Sequence, residues 1–517
     1  MVIIKTPNRY FFKDLVKKFL IFCLVSFFAT QNVLADLKVP AYLSDGVVLQ
    51  QQSKVILWGW DIPGNKIKIN CNWSDSLINT KADNEGKWQA AIKTNVAGGP
   101  YQISIQSNKE SLSIKNILFG EVWLCSGQSN MVFRFSNSSD YLKDKEEMNL
   151  PQIRYLEVER SIEDEPQNDI PGSVWKSINP DNADRLSAVA LYFAQKLQMD
   201  INIPIGIIEA SWGGTAIDSW TPLHTLKENA RLAVNLDRWE DWKRDFKKDS
   251  IAYQAQLHAL KNGEIAENPE MPITVYINKR PQRKPSSLFN GMIAPLSKFR
   301  IKGVIWYQGE TNRTWSEEYE YHLIKFIESW RNEWGYNLPF CLVQLAPYKG
   351  KAEAVSQIME AQFNVSNTME DVGLVVTMDV GDMDDIHPKN KKPVGQRLAN
   401  WALSKIYGYD TKFYSGPIFK GYERNNNSIK LFFEHTLSGL IFQEELNGFE
   451  YIEFNENGTQ KPPKKLELNI DDKILSISTR SISFPIIVRY GWGLEMARAN
   501  LFNAEGLPAC PFRVLVK

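Results

Sequence analysis

Apolar and polar positions alternate in short runs through the first part of the chain, as in Val47-Val48-Leu49, Val55-Ile56-Leu57-Trp58 and Tyr101-Gln102-Ile103-Ser104-Ile105, with Pro63-Gly64 and Gly98-Gly99-Pro100 between them. Short strands with closely spaced turns predict an N-terminal β-sandwich over residues 36–114. From there the period changes. Continuous apolar runs, Val122–Cys125, Ile203–Ile208, Gly303–Tyr307, Phe340–Leu345 and Val372–Met378, are interleaved with amphipathic stretches at Ala188–Leu197, Tyr319–Trp334 and Ala352–Phe363. A strand that is apolar on both faces needs cover on both, so residues 115–410 read as an α/β unit, a parallel sheet with helices on either side. A segment at about 227–285 interrupts this rhythm, charged and helix-prone around Trp239 and Trp242, then broken by Pro269, Pro272, Pro281 and Pro285. It reads as an insertion that can form a lid. Short alternating strands return over 411–517, as in Ile429-Lys430-Leu431-Phe432 and Phe484-Pro485-Ile486-Ile487-Val488, predicting a second β-domain.

Composition changes this picture little. Sixty basic residues balance sixty acidic ones in 517, which gives no electrostatic footprint for nucleic acid or a membrane surface. Aromatics reach 12% with 16 Trp, and flat aromatic faces suit sugar rings, although most are expected in β-rich cores. The N-terminus departs from the average. Lys5, Arg9, Lys13, Lys17 and Lys18 precede the apolar run Phe19–Ala29 and the small-residue site Val33-Leu34-Ala35. That pattern predicts a signal peptide over residues 1–35, a mature start at Asp36, a periplasmic or secreted protein, and no stable membrane association after cleavage. Cys71, Cys125, Cys341 and Cys510 remain beyond it, and none lies in ligand spacing, so free core thiols are expected and no metal site is.

In a parallel α/β sheet, ligands bind beyond the carboxyl ends of the strands, so the chemistry is sought just after each apolar run. After Val122–Cys125 comes Ser126-Gly127-Gln128-Ser129, where a glycine permits a tight turn and sets Ser129 at a helix start, as a nucleophile requires. After Ile205–Ile208 comes Trp212-Gly213-Gly214-Thr215, whose glycines let backbone donors approach an oxyanion. After Gly303–Tyr307 come Gln308 and Asn312, neutral amides able to serve the same oxyanion. After Val375–Met378 comes Asp379-Val380-Gly381-Asp382-Met383-Asp384-Asp385-Ile386-His387-Pro388. Of five histidines, His387 alone sits beside a dense group of acids; His224, His258, His322 and His435 read as helix or strand surface. A base needs a partner on its second nitrogen. Asp384, three residues earlier, is the expected partner on a loop entering a turn, and Asp385, two earlier, is the alternative in an extended segment.

Gly127-Gln128-Ser129-Asn130-Met131, Trp212-Gly213-Gly214-Thr215, Trp306-Tyr307-Gln308-Gly309-Glu310-Thr311-Asn312 and Asp385-Ile386-His387-Pro388 resemble, in order, the blocks of the sialate O-acetylesterase family within the SGNH/GDSL hydrolases. The resemblance continues at Leu43–Gln50 and Asn503–Ala509. It implies an SGNH-type three-layer parallel sheet flanked by β-sandwich-like domains, and a serine esterase that removes acetyl groups from a carbohydrate without a cofactor. Ser129 would attack the ester, His387 would take its proton and later activate water, and the oxyanion would face the Ser129 N–H, the Gly213-Gly214 turn and an amide of Gln308 or Asn312. Some relatives use a serine and histidine pair alone, so the acid stays open. The sugar also stays open between sialic acid and plant xylan or pectin. Two other readings share the fold: a lipid or thioester hydrolase, distinguished by acyl length, and a non-catalytic carbohydrate-binding protein, against which the intact Ser129 and His387 count.

Overall fold

The computed structural model describes residues 37–517 except Lys109, Lys412, Glu467 and Ser481, so the predicted signal peptide lies outside the described residues. Two compact units partition the chain. The smaller comprises residues 37–39, 58–90 and 104–113. In it, strand Lys66–Cys71 pairs antiparallel with Ile78–Lys81, and period two buries Ile67, Ile69 and Cys71 while Lys66, Lys68 and Asn70 face solvent.

The larger unit is built on one sheet of β1 (Ser111–Gly127, in this unit from Ile114 on), β2 (Leu150–Glu157), β3 (Trp175–Ile178), β4 (Ile205–Ser211), β5 (Gly303–Tyr307), β6 (Phe340–Val343) and β7 (Val372–Val375). The order across it is β7-β6-β5-β1-β4-β2-β3. Neighbours run parallel throughout, except that β3 lies antiparallel on β2. The apolar runs of the sequence are therefore the contiguous strands β7, β6, β5, β1 and β4. Strands β2 and β3 extend the sheet beyond them. They escape a search for apolar runs because Leu150-Pro151-Gln152-Ile153-Arg154 is half solvated, as suits a strand near a sheet edge.

Helices cover both faces. On one, α1 (Ala188–Ile201) and, near the end of the sheet chain, α5 (Lys392–Lys405) pack on Trp123, Cys125, Ile207, Ile305, Tyr307 and Val343. The start of α1 is fixed by the Ser187 hydroxyl, which accepts from the Ala190 N–H, and its end by Asn202 in the left-handed region. On the other face, α3 (Tyr319–Trp334) and α4 (Ala352–Thr368) lie side by side. Phe326 and Trp330 of α3 meet Trp306 of β5 at ring-centroid distances of 4.4 and 6.0 Å. Burying each such ring contributes roughly 1.5–3 kcal/mol. His322 turns into this layer rather than to the surface, with Nε2 3.1 Å from the Thr221 hydroxyl, and burial lowers its pKa to about 3.

The insertion forms α2 (Ala230–Lys261), 32 residues of which only Leu232 and Tyr253 are buried, followed by the short helix Ile273–Asn278. Toward the C-terminus two antiparallel sheets share one core. Ile429, Leu431, Leu475 and Ile477 of the first face Phe449, Ile486, Val488, Tyr490 and Phe512 of the second. Cys71, Cys125, Cys341 and Cys510 are buried free thiols. Among the described residues no helix is long and apolar enough to cross a membrane.

Candidate active site

Register sets the site. Gly127 pairs with Ser211 on one side and Tyr307 on the other, so β1, β4 and β5 end at one level and their next residues rise together above the sheet. This is where the chain changes direction, from β1 toward β2 and from β5 toward β6, the usual place for a crevice in such folds. Gly127 must be glycine: its φ is +138°, and a Cβ there would stand 2.2 Å from the Tyr307 carbonyl oxygen. The turn it permits ends at Gln128, which caps the short helix Ser129–Val132 and leaves Ser129 as its first residue. The N–H groups of a first helical turn have no intrahelical acceptor, so the Ser129 amide is available to a ligand.

The Ser129 hydroxyl is 2.9 Å from His387 Nε2. Their separation of 258 residues is closed by the loop between β7 and α5, which is pinned at its start where Arg397 of α5 clamps Asp379 through bonds of 2.7 and 2.6 Å. Farther along, the Asp382 carboxylate accepts the N–H groups of Asp384 and Asp385 at 2.9 and 3.3 Å, folding a tight turn. In that turn the two acids take different partners, against the geometric expectation that Asp384 lies beside the ring. Asp384 points out to Lys349. Asp385 instead accepts the His387 backbone N–H at 2.8 Å and lies 3.7 Å from its Nδ1, near the ring but beyond hydrogen-bond distance.

Gly213 packs against Ser129, since a Cβ added to it would lie 3.3 Å from that of Ser129, while Gly214 takes a φ of +75° with open space beside it. The two amides differ. Gln308 is fully buried and its Nε2 is spent within the protein, on Gln128 Oε1, the Thr215 carbonyl and Asn312 Oδ1 at 3.2, 3.2 and 2.7 Å. It is a strut between strand ends. Asn312 accepts through Oδ1 from both Gln308 and the Ile217 N–H, which leaves its Nδ2 without a hydrogen bond among the described residues. Of the two amides, Asn312 is the one that keeps an unengaged side-chain donor among the described residues.

Four further residues belong to the site. Gln128 Oε1 receives the Gly309 and Thr311 N–H groups, at 3.4 and 3.3 Å, and so ties the Ser129 turn to the loop after β5. Asn130, Glu310 and Lys391 form a buried polar cluster below Ser129. Three of these stand inside the motifs and carried no separate signal; Lys391 lies outside them, and nothing local marks it.

A cleft of about 800 Å³ opens over Ser129, Gly213, Gly214 and His387. The insertion supplies much of its wall, including Trp242, Tyr276, Arg280 and Arg283, and Trp315 stands beside Trp242 at 5.8 Å. Arg280 and Arg283 stack on Tyr276 at 3.8 and 4.8 Å. Among the described residues, none of the lining cations Arg280, Arg283, Arg313 and Lys351 forms an ion pair with a carboxylate. Two acids, Glu270 and Glu310, also reach the lining. Burial raises the Glu310 pKa, with Asn130 holding one of its oxygens.

The profile of the family described as carbohydrate esterase, sialic acid-specific acetylesterase, matches residues 119–240 and 277–404, one stretch on each side of the middle of the insertion. The chain is 26% identical to mouse sialate O-acetylesterase, over 92% of this chain and 94% of that protein, and 27% identical to the human enzyme, over 92% of each. A carbohydrate acetylesterase of Xanthomonas citri, known from its crystal structure, is 30% identical, superposes with a TM-score of 0.77, and is matched over 93% of this chain and 99% of its own. With the strand-end motifs in this register, and a relative matched over nearly its whole length, the chain belongs to the sialic acid-specific acetylesterase family of carbohydrate esterases.

Proposed function

We propose that this carbohydrate O-acetylesterase works through Ser129 as nucleophile and His387 as base, and that its substrate is an O-acetylated sialic acid. The observation that carries the chemistry is the 2.9 Å contact between Ser129 Oγ and His387 Nε2 on the floor of the cleft. Oγ attacks the acetyl carbonyl carbon while Nε2 takes the hydroxyl proton. The oxyanion is met by the Ser129 and Gly213 N–H groups and the Asn312 amide, a set in which one donor is worth about 10²–10³ in turnover. Collapse returns the proton to the sugar oxygen and leaves acetyl-Ser129. Water, deprotonated by His387, then releases acetate and free serine.

The sugar is argued from the wall. Guanidiniums stacked on Tyr276 and outside any ion pair among the described residues suit an acidic sugar, and the Trp242 and Trp315 rings offer apolar faces to its carbons. Sialic acid carries the carboxylate that this wall can hold; xylan does not. Acetate release from O-acetylated sialic acids, acetylated pectin and acetylated xylan tests the reading. Preference for the sialic acids supports it, and preference for neutral xylan, or for pectin with its own carboxylates, refutes the substrate. We further infer export, from the basic and apolar segment that ends at Ala35. N-terminal sequencing should find Asp36 first, and an intact Met1 in exported material would contradict this.

A further inference from the structure

Lys391 is a fully buried lysine, and the reaction above gives it no task. It stands at the N-cap of α5, four residues after His387, and its ammonium donates to Asn130 Oδ1 at 2.6 Å. Asn130 is itself buried and directly follows the nucleophile. With Oδ1 taken by the ammonium, its Nδ2 is forced to face the other way, where it donates to Glu310 Oε1 at 2.5 Å and to the backbone carbonyl of Ile386 at 3.0 Å. Ile386 is the residue before His387. One amide therefore spans from the nucleophile turn to the base loop, and one ammonium decides which way round that amide sits.

We propose that Lys391 and Asn130 are positioning residues that set the His387 loop against Ser129, Lys391 by orienting the Asn130 amide and Asn130 by holding the Ile386 carbonyl. The proposal rests on the roles given above to Ser129 and His387. The cluster is built to be rigid. Lys391 sits against the faces of Phe133 and Tyr307, at 4.8 and 5.3 Å, and the charged groups that face it are Glu310, on the loop after β5, and Asp385, in the base loop. Burial pulls the ammonium down to about 7, while those two carboxylates push it back up. An exposed Asp385 alone, 3.7 Å from the ring, is a weak clamp on a base that must meet a hydroxyl at hydrogen-bond distance.

The test compares wild type, Lys391→Met, Asn130→Asp and Ser129→Ala on 4-nitrophenyl acetate, with kcat and KM separated and kcat/KM followed across pH. A small misplacement of a reacting group costs about 10²-fold. Lys391→Met and Asn130→Asp should each lower kcat by about 10- to 100-fold and leave KM within about threefold. Both changes make the surroundings of His387 more negative, so the acid limb of kcat/KM should move to higher pH, which a role in stability alone would not produce. Should Lys391→Met fail to fold, Asn130→Asp carries the test, being isosteric and able to keep its bond from Lys391 while losing the donor to Ile386. Folded variants with kcat within about threefold of wild type, or with an unmoved acid limb, overturn the proposal. Ser129→Ala that retains turnover defeats the underlying assignment instead, so the two failures are told apart.

Discussion

The two halves of the proposed reacting pair are held by different kinds of structure. Ser129 follows a strand buried on both faces, its turn fixed by Gly127 against the Tyr307 carbonyl and its flanks by Gln128 and Gly213. His387 comes from an acid-rich loop in which Asp382, Asp384 and Asp385 are exposed. The acids on the nucleophile side, Glu209 and Glu310, are buried and raised in pKa, Glu209 to about 7. The contrast teaches that a serine esterase needs one immovable partner and can let the other be assembled by bonds from elsewhere in the chain.

The largest break in this comparison removes the fixed partner. Ser129→Ala should lower acetyl-ester hydrolysis by about 10⁴-fold or more with the fold retained, as steady-state kinetics beside circular dichroism would show, because among the described residues no second hydroxyl of the cleft meets a histidine. Loosening the other partner should do less. Asp385→Asn should reduce kcat by about 10- to 100-fold, below the ~10⁴ known for a directly bonded orienting acid, since the carboxylate does not reach bonding distance.

The buried acids can be addressed through stability. Burial raises the Glu209 carboxyl above its unfolded value, so the folded chain binds more protons than the unfolded one between about pH 4.5 and 7. Stability from this group is thus present at low pH and lost as pH rises through about 7. Glu209→Gln, which keeps an acceptor for Ser211, should gain on the order of 2 kcal/mol over wild type between pH 5 and pH 8 in denaturant titrations. An unchanged pH slope would show that Glu209 is solvated.

Two smaller effects sharpen the picture on the exposed side. Arg280→Gln should raise KM about tenfold for an acidic acetylated sugar, the worth of one charged hydrogen bond, and leave 4-nitrophenyl acetate unaffected. Asp384→Asn should change kcat by less than about threefold, because its carboxylate is engaged with Lys349 on the surface. A severe loss there would restore Asp384 as the orienting acid.

The same contrast explains what was legible in the sequence. The position of Ser129 and the ends of β1, β4 and β5 could be read because a continuous apolar run followed by glycine is a local signal. His387 could be read because its acidic surroundings are local too. The acid could not be chosen, because the choice is made by the Asp382 turn and by Lys349, 35 residues upstream of Asp384. Gln308 looked like a donor to substrate until the fold brought Gln128, Thr215 and Asn312 around its amide. Strands β2 and β3 and the inward turn of His322 were hidden for a related reason, since edge solvation and helix rotation are settled by neighbours distant in sequence.

The long helix of the insertion has a consequence for time rather than place. Of its 32 residues only two are buried, and among its side chains Arg238 is clamped to Glu318 by bonds of 2.8 and 2.5 Å. A segment with so little apolar anchorage has a small free energy of local opening compared with the sheet beneath it. Its amides should therefore exchange with deuterium long before those of β1 or β5, and Trp242, Tyr276 and Arg280 are carried on or beside the part that opens first. Faster exchange in this helix than in β1 or β5 is the outcome to look for, since part of the cleft wall is built on it.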